Sequence, residues 1–195
     1  MTKKKKAQCD ANAKNQTTQN LPNAAPKYMP RQYRGKTFYP WQRAVLDSRD
    51  DFNERYVDCI IDKDGNNGKS TLASIVDLQG LGIDMPTVDE GNKLIQSLCN
   101  LLALKNSQSP GLVFFDMPRA QNKHQLTGLF TAIEQIKKGK VWDFRHRYTE
   151  WWFDSPRVWV FTNKQPDVSL LSVDRWQFWS IQDKKLVKLT KLSSK

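Results

Sequence analysis

The sequence predicts an α/β fold in which helices flank a central, mainly parallel β-sheet, and three observations predict it. Patterns typical of strands and of helices alternate from Thr37 onward. The run "LVFF" at 112–115 is apolar on both faces and too short for a helix, as a central parallel strand is. A glycine-rich turn in "DKDGNNGKST", at 62–71, directly follows the apolar run "VDCII".

The composition limits the classes of protein that fit. The chain has 195 residues, with 31 Lys and Arg against 20 Asp and Glu, which gives a formal net charge of +11. That length suits one compact domain with extensions. The positive excess indicates a polyanionic partner, either nucleic acid or an acidic membrane face. No stretch approaches the roughly 18 apolar residues that a spanning helix needs, and no apolar targeting core follows the first lysines. We expect a soluble protein without a membrane partner.

Cysteine and histidine usage argues against disulfides and zinc. Cys9, Cys59 and Cys99 are an odd number at wide spacing, no Cys-x-x-Cys occurs, and the chain has two histidines. Neither a disulfide framework nor a zinc site is therefore expected, which indicates a reducing compartment.

Shifts in composition suggest the domain boundaries. Residues 1–35 are polar and nearly free of branched aliphatic side chains, so we expect a disordered basic arm or linker there. The lysines at 3–6 fit a nuclear-import signal, a phosphate-binding arm or a solvated tail. Residues 36–56 are expected to form a helical lead-in that also suits oligomerisation, 57–182 the globular domain, and 183–195 a basic tail.

The first elements surround the glycine-rich turn. Pro40 suits the first turn of a helix in "PWQRAVLDSRDDFNER", whose apolar residues recur at roughly helical spacing. Those residues are Trp41, Ala44, Val45 and Phe52. The run "YVDCIID" then predicts a buried strand, and "KSTLASIVDLQ" predicts a helix that ends near Gly80 and Gly82.

Two longer helices and a hairpin follow. Thr87 with Glu90 forms a capping-box pattern ahead of "VDEGNKLIQSLCNLLALK", and Asn122 with Gln125 does so for a helix that stops at Gly139. Each helix has one apolar face toward the core. The faces contain Leu94, Ile95, Leu98, Leu101 and Leu102 in the first helix, and Leu126, Leu129, Ile133 and Ile136 in the second. The stretch "KVWDFRHRYTEWWF" then predicts a hairpin and "RVWVFTN" a strand, while Trp176, Phe178 and Trp179 are expected to pack in the core.

The glycine-rich turn has the residue types of a phosphate-binding loop. Backbone amides turned toward an anion at a helix N-terminus need residues that tolerate unusual φ and ψ angles. Here these are Gly65, Asn66, Asn67 and Gly68. Lys69 would reach the β- and γ-phosphates, Ser70 would bind Mg²⁺, and Thr71 would support the first helical turn. The usual pattern has a glycine where this chain has Lys63, so a plain loop before a helix is the alternative.

Two further polar residues follow predicted strands. Asp116 ends "LVFFD" and could hold Mg²⁺ from a neighbouring strand. Asn163 ends "VWVFTN" and could orient a water near the γ-phosphate. Each residue alone is also common in a turn.

Together these strings resemble the superfamily 3 helicase domain of replication-initiator (Rep) proteins of small circular single-stranded DNA viruses and of related satellites and plasmids. The resemblance covers roughly residues 38–182. The strings are "YPWQ" at 39–42, Arg55, "GNNGKST" at 65–71, "DMPR" at 116–119, "EQIKKGKVWDFR" at 134–145, "VFTNKQPD" at 160–167 and "LSVDRW" at 171–176.

The resemblance implies an AAA+-like P-loop NTPase that works as a DNA helicase in rolling-circle replication, with ATP and Mg²⁺ as cofactors and a hexameric ring as its assembly. It implies that Lys69 and Ser70 bind ATP and Mg²⁺, that Asp116 is the Walker B acid, and that Asn163 is the polar sensor. Arg175 of "DRW" resembles the basic residue that is presented to a neighbouring subunit's ATP. A viral protein in a eukaryotic host would then lie in the nucleus, and otherwise in the cytoplasm.

The sequence departs from the family in two places. Superfamily 3 Walker B motifs often carry two adjacent acids, whereas Asp116 has apolar neighbours, so Glu134 is our candidate general base. Full-length Rep proteins also begin with an endonuclease domain that has a His-hydrophobic-His motif, but His124 and His146 are isolated here. The implied partner is a separate or fused origin-nicking endonuclease.

The hairpin is a candidate contact for single-stranded DNA. Basic and aromatic residues interleave in it, an arrangement suited to backbone phosphates and base stacking. The basic residues are Lys140, Arg145 and Arg147, and the aromatic ones are Trp142, Phe144, Tyr148, Trp151 and Trp152. In the family a basic loop in this position faces DNA in the central channel. The alternative is a hairpin whose aromatics fill the core.

Two other functions stay open at this point. One is an RNA-directed superfamily 3 NTPase of an RNA virus, although "DMPR" and "LSVDRW" favour the DNA group. The other is a non-enzymatic DNA-binding or assembly protein with a degenerate nucleotide site.

Overall fold

The structure is a computed structural model that describes residues 28–88, 90–117, 123–145 and 148–190. Its helices are α1 (Pro40–Asp47), α2 (Lys69–Leu78), α3 (Gly91–Lys105) and α4 (Lys123–Lys137). Its strands are β1 (Val57–Ile61), β2 (Ile83–Asp84), β3 (Leu112–Asp116), β4 (Lys140–Asp143), β5 (Thr149–Trp152), β6 (Arg157–Thr162), β7 (Trp176–Gln182) and β8 (Lys185–Lys188).

The main sheet is mostly parallel, which confirms the α/β prediction. Its strand order is β2-β3-β6-β1-β7-β8, and only the β7–β8 pairing is antiparallel. Strand β6 lies between β1 and β3, so the carboxyl ends of these three strands meet at one edge of the sheet. In open α/β sheets, ligands bind outside the carboxyl ends of the strands.

Each face of the sheet is covered by a layer of helices. Neighbouring residues of β1 point to opposite faces, as in any strand. Cys59 packs in the cluster that contains the buried faces of α3 and α4, and Ile60 packs in the cluster that contains those of α1 and α2. Both faces of β3 are buried as well, which explains why "LVFF" is apolar throughout.

The predicted hairpin is confirmed as a separate two-stranded sheet. Strands β4 and β5 pair antiparallel, with Val141 opposite Trp151 and Lys140 opposite Trp152. Val141 is buried and Trp151 packs against the core, while Trp152 is exposed. One face of the hairpin therefore joins the core and the other faces outward.

The first helix is shorter than the sequence predicts. Helix α1 ends at Asp47 and a 3₁₀ turn follows, so Ala44 and Phe52 are exposed rather than part of an apolar face. Ser48 Oγ donates to the Val45 carbonyl at 2.6 Å and accepts from Trp159 Nε1 at 3.1 Å. A side chain that bonds locally in this way competes with continuation of the helix.

Of the two predicted capping boxes, one is wrong and the other lies outside the described residues. Glu90 occupies the N-cap position of α3 itself and pairs with Lys93 at 3.0 Å, so the Thr87–Glu90 box is wrong. Helix α3 begins at Gly91, where a Cβ atom would lie 2.3 Å from the carbonyl oxygen of Gly128 on α4. The backbones of α3 and α4 approach closely here, so position 91 has no room for a side chain. The Asn122–Gln125 cap lies outside the described residues.

The C-terminal segment differs from the basic tail that we expected at 183–195. Residues Lys185–Lys188 form β8, and Leu186 packs against the core layer of α1 and α2. Asp183 and Lys184 form the turn between β7 and β8 with φ angles of +48° and +60°. Two successive positive φ angles give the tight turn that suits an antiparallel hairpin. As expected, Trp176 and Phe178 are buried.

Two further observations concern membrane-spanning helices and the cysteine residues. Among the described residues, no helix is long and apolar enough to cross a membrane. Cys59 and Cys99 are free thiols in the core. Residues 1–27 of the expected arm and residues 191–195 of the expected tail lie outside the described ranges.

Candidate functional site

The glycine-rich turn connects the end of β1 to the start of α2. Gly65, Asn66 and Gly68 have φ angles of +73°, +57° and +80°, the left-handed conformation that the sequence led us to expect. These residues turn the chain sharply, so that the first backbone N–H groups of α2 lie at the carboxyl edge of the sheet. Amides at a helix N-terminus lack helical partners and favour an anion.

Lys69 forms a buried ion pair with Asp62, a residue that the sequence reasoning did not assign. Lys69 Nζ lies 2.6 Å from Asp62 Oδ2. The other oxygen of Asp62 accepts from Gly65 N at 3.1 Å and from Asn67 Nδ2 at 2.9 Å. Burial tends to raise the pKa of Asp62, but these hydrogen bonds, above all that from Lys69, hold it below the ordinary value. Asp62 thereby fixes both the lysine and the loop.

Ser70 and Asp116, the two predicted metal ligands, lie in direct contact. Ser70 Oγ, in the first turn of α2, donates to Asp116 Oδ2, at the end of β3, over 2.8 Å. A hydroxyl and a carboxylate are oxygen donors of the kind that Mg²⁺ prefers. Within the described ranges, no three His, Cys, Asp or Glu side chains form a group that could hold a metal ion. Ser70 and Asp116 thus place two oxygen atoms side by side at the carboxyl edge of the sheet.

Asn163 lies at the same edge, beyond the end of the strand that separates β1 from β3. It follows β6, and its Nδ2 donates to the Asp62 backbone carbonyl at 3.0 Å. Lys69, Ser70, Asp116 and Asn163, which the sequence proposed separately, thus meet at the ends of three adjacent strands.

A second serine–aspartate pair lies one helical turn below the first. Ser74 Oγ donates to Asp84 Oδ2, at the end of β2, over 3.3 Å. Burial, and next the charge of Asp77, raise the pKa of Asp84 to about 6. Asp84, Ser70 and Asp116 line one cavity of about 580 Å³. Asp84 was not predicted because β2 has only two residues. The one feature of the sequence that could have indicated it is an acidic residue directly after an apolar one.

The loop is also held from the side of α1 and β8. Gln42 is buried, and its Nε2 donates to the Gly68 carbonyl at 2.9 Å. Lys184 Nζ donates to Asn67 Oδ1 at 2.8 Å, and the Lys184 carbonyl accepts from Trp41 N at 2.9 Å. The string "YPWQ" and the β7–β8 turn thus support the loop, although Lys184 was expected in a tail.

Arg175 and Glu134 lie together at the opposite edge of the sheet. Arg175 Nη1 is 3.6 Å from Glu134 Oε1. Arg175 immediately precedes Trp176, which pairs with Val57, the first residue of β1. The loop follows the last residue of β1. Glu134 therefore lies at the other end of β1 from the loop of its own chain, and its role as a general base stays a prediction.

The described basic residues of the hairpin already have partners. Lys140 Nζ lies 3.1 Å from Glu150 and 4.3 Å from the centroid of the Trp152 ring. Arg145 binds Asp143 and also donates to Asn100 Oδ1 at 2.9 Å. Asn100 lines the same cavity as Ser70 and Asp116, so Arg145 contacts a residue of that cavity. Arg147 lies outside the described residues.

Comparison of the sequence with models of known protein families found no matching family, and comparison with curated proteins found no matching protein. The likeness of the sequence strings to superfamily 3 helicases stays an expectation.

Proposed function

We propose that the protein is an ATPase motor that moves single-stranded DNA during rolling-circle replication and works as an oligomeric ring. The observation that carries the proposal is the convergence of Lys69, Ser70, Asp116 and Asn163 at the carboxyl ends of β1, β3 and β6. A lysine, a hydroxyl, a carboxylate and an amide in this arrangement are the groups that phosphoryl transfer from a nucleoside triphosphate requires.

The loop supplies groups that would neutralise the negative charge of the phosphates. Its left-handed residues and the N-terminus of α2 present backbone amides. Lys69 is held within the loop by Asp62, and its flexible four-carbon stem allows the ammonium to turn from this carboxylate to a phosphate. The Lys69 ammonium, which pairs with Asp62 in this structure, would then neutralise the phosphate charge of the substrate.

Ser70 and Asp116 would hold Mg²⁺, which when bound neutralises developing charge on the β- and γ-phosphate oxygens. Asn163 would orient the attacking water, since it follows β6, the strand between β1 and β3. Hydrolysis would then depend on positioning and charge neutralisation, which together supply most of the rate in such enzymes.

The outer face of the hairpin suits a single strand of DNA. Phe144, Tyr148 and Trp152 are 63%, 61% and 67% exposed, and the Lys140 ammonium lies over the Trp152 ring. Exposed aromatic rings beside cations are the arrangement that stacks bases and neutralises backbone phosphates.

The position of Arg175 supports ring assembly. Because this arginine lies at the amino edge of the sheet and the loop lies at the carboxyl edge, it can act on a nucleotide only when that nucleotide belongs to a neighbouring subunit. An arginine supplied in this way stabilises charge that develops in the transition state.

ATP turnover, measured with and without single-stranded DNA or single-stranded RNA, tests this function. The proposal predicts Mg²⁺-dependent turnover that single-stranded DNA stimulates more than RNA does. Stimulation by RNA alone would favour the RNA-directed NTPase. Binding of DNA without turnover would favour the non-enzymatic protein.

A further inference from the structure

An exposed aromatic ring stands beside the phosphate-binding loop without a role in the proposed reaction. The Tyr39 side chain is 44% exposed, and the Lys184 ammonium lies 4.8 Å from its ring centroid. The same ammonium donates to Asn67 of the loop at 2.8 Å. Tyr39, Lys184 and the loop thus form one continuous surface.

The strand order places this surface on a particular side of the loop. Strands β6 and β3, which carry Asn163 and Asp116, lie on one side of β1, and β7 and β8, which carry Lys184 in their turn, lie on the other. A triphosphate that binds along the loop with its γ-phosphate toward Asp116 would have its nucleoside end on the side of Lys184 and Tyr39.

The position of Tyr39 is fixed by its backbone rather than by its ring. Its N–H donates to Gln42 Oε1 at 2.9 Å, while Gln42 Nε2 holds the Gly68 carbonyl. The backbone of Tyr39 is thereby linked to the loop, and its side chain stays 44% exposed beside the Lys184 ammonium. The Gln42 side chain thus joins Tyr39 to the loop, and the exposed Tyr39 ring offers a surface on which a base can stack.

We propose that Tyr39 stacks the base of a purine nucleoside triphosphate and that Lys184 lies beside its phosphates. The inference rests on the proposed function, since it assigns the base-binding part of the same site. A purine presents a larger ring surface than a pyrimidine. Stacking of a base on an aromatic side chain contributes about 1–3 kcal/mol by alanine substitution.

Calorimetric titration with ATP and with inorganic tripolyphosphate, both with Mg²⁺, tests the inference. The variants are Tyr39→Leu, which keeps apolar volume without a ring, Tyr39→Ala and Tyr39→Phe. The matched control is Tyr28→Ala, because Tyr28 is also exposed and also carries a cation, Arg34, over its ring at 5.7 Å. Thermal unfolding of each variant identifies any that fail to fold.

We expect Tyr39→Leu and Tyr39→Ala to weaken ATP binding roughly tenfold and to leave tripolyphosphate binding unchanged. Tyr39→Phe and Tyr28→Ala should bind ATP as the wild type does. Unchanged ATP affinity in the Leu and Ala variants would overturn the inference, and so would an equal loss for both ligands, since Tyr39 would then act through the loop. A wild-type protein that binds neither ligand would instead overturn the proposed function, and the inference with it.

Discussion

The Lys69 ammonium lies 2.6 Å from the Asp62 carboxylate, and the two side chains are 9% and 3% exposed. The pair links the first residue of α2 to the residue that follows β1, so it fixes the loop between them. Buried charges are tolerated when they are paired and hydrogen-bonded, and removal of one partner leaves the other uncompensated.

Lys69→Ala should therefore destabilise the protein as well as abolish phosphate binding. We expect a loss of about 3 kcal/mol in the free energy of unfolding near neutral pH, because Asp62 is left buried without its cation. The double variant Lys69→Met/Asp62→Asn should recover most of that loss. Urea unfolding of the three proteins checks this, and an unchanged midpoint for Lys69→Ala would contradict it.

The contribution of the Lys69–Asp62 pair to stability should decrease as the pH falls. The pKa of Asp62 is lowered in the folded protein, so its stabilising contribution is fully present above the unfolded pKa near 4 and is lost as the pH falls below it. The difference in stability between wild type and Lys69→Ala should shrink below about pH 4. A difference that is constant through this range would mean that Asp62 is not the origin of the effect.

Asp84→Asn should stabilise the protein near neutral pH. The pKa of Asp84 is raised to about 6, first by burial and next by the charge of Asp77, so ionisation of Asp84 destabilises the fold as the pH rises through 6. Asparagine keeps an acceptor for Ser74. We expect a gain on the order of 1 kcal/mol after solvent screening that disappears in acid, measured by unfolding without Mg²⁺. Destabilisation at neutral pH would show that the charge is needed.

The hairpin should contribute charge and stacking separately to DNA binding. Removal of Lys140 and Arg145 together should lower the slope of log affinity against log salt by about one unit or more, since each phosphate contact on a single strand contributes about 0.7. Trp152→Ala should lower affinity without changing the slope, because stacking releases no counterions. Equal slopes for the wild type and the Lys140/Arg145 variant would show that these two residues do not contact DNA phosphates and that the hairpin has a purely structural role.

Arg175 should act across a subunit boundary. We expect Arg175→Ala to reduce ATP turnover strongly with little loss of nucleotide binding, because an arginine supplied across an interface contributes roughly 10³–10⁵ in rate. Mixing this variant with Lys69→Met/Asp62→Asn should restore turnover above the sum of the two, since some interfaces then join an intact loop to an intact arginine. If Arg175 only pairs with Glu134, its variant should lose thermal stability and mixing should restore nothing.

Much of the fold and part of the site could be predicted because they depend on local patterns. A strand, a turn of residues that tolerate positive φ, and a helix are adjacent in the chain, so the loop was recognisable. The Ser70–Asp116 contact followed from the rule that parallel strands end at one edge.

The remaining features depend on contacts that sequence spacing does not show. Asp62 acquires its role only because Lys69 folds back onto it. The contact of Glu134 with Arg175 could not be foreseen, because the position of Glu134 on a helix does not reveal which edge of the sheet it reaches. Lys184 was assigned to a tail on charge, whereas the two positive φ angles of its turn and the apolar contact of Leu186 place it against the loop.

ATP turnover by the Lys69→Met/Asp62→Asn variant tests the central claim most directly, because this variant removes the lysine without leaving a buried charge. The matched control is Asp62→Asn alone, which keeps Lys69. We expect Mg²⁺-dependent, DNA-stimulated turnover by the wild type, reduced but measurable turnover by the control, in which asparagine at position 62 holds the lysine less strongly, and loss of turnover in a double variant that still unfolds cooperatively. Turnover by the folded double variant within about twofold of the wild type would contradict the assignment of Lys69 to a nucleotide phosphate.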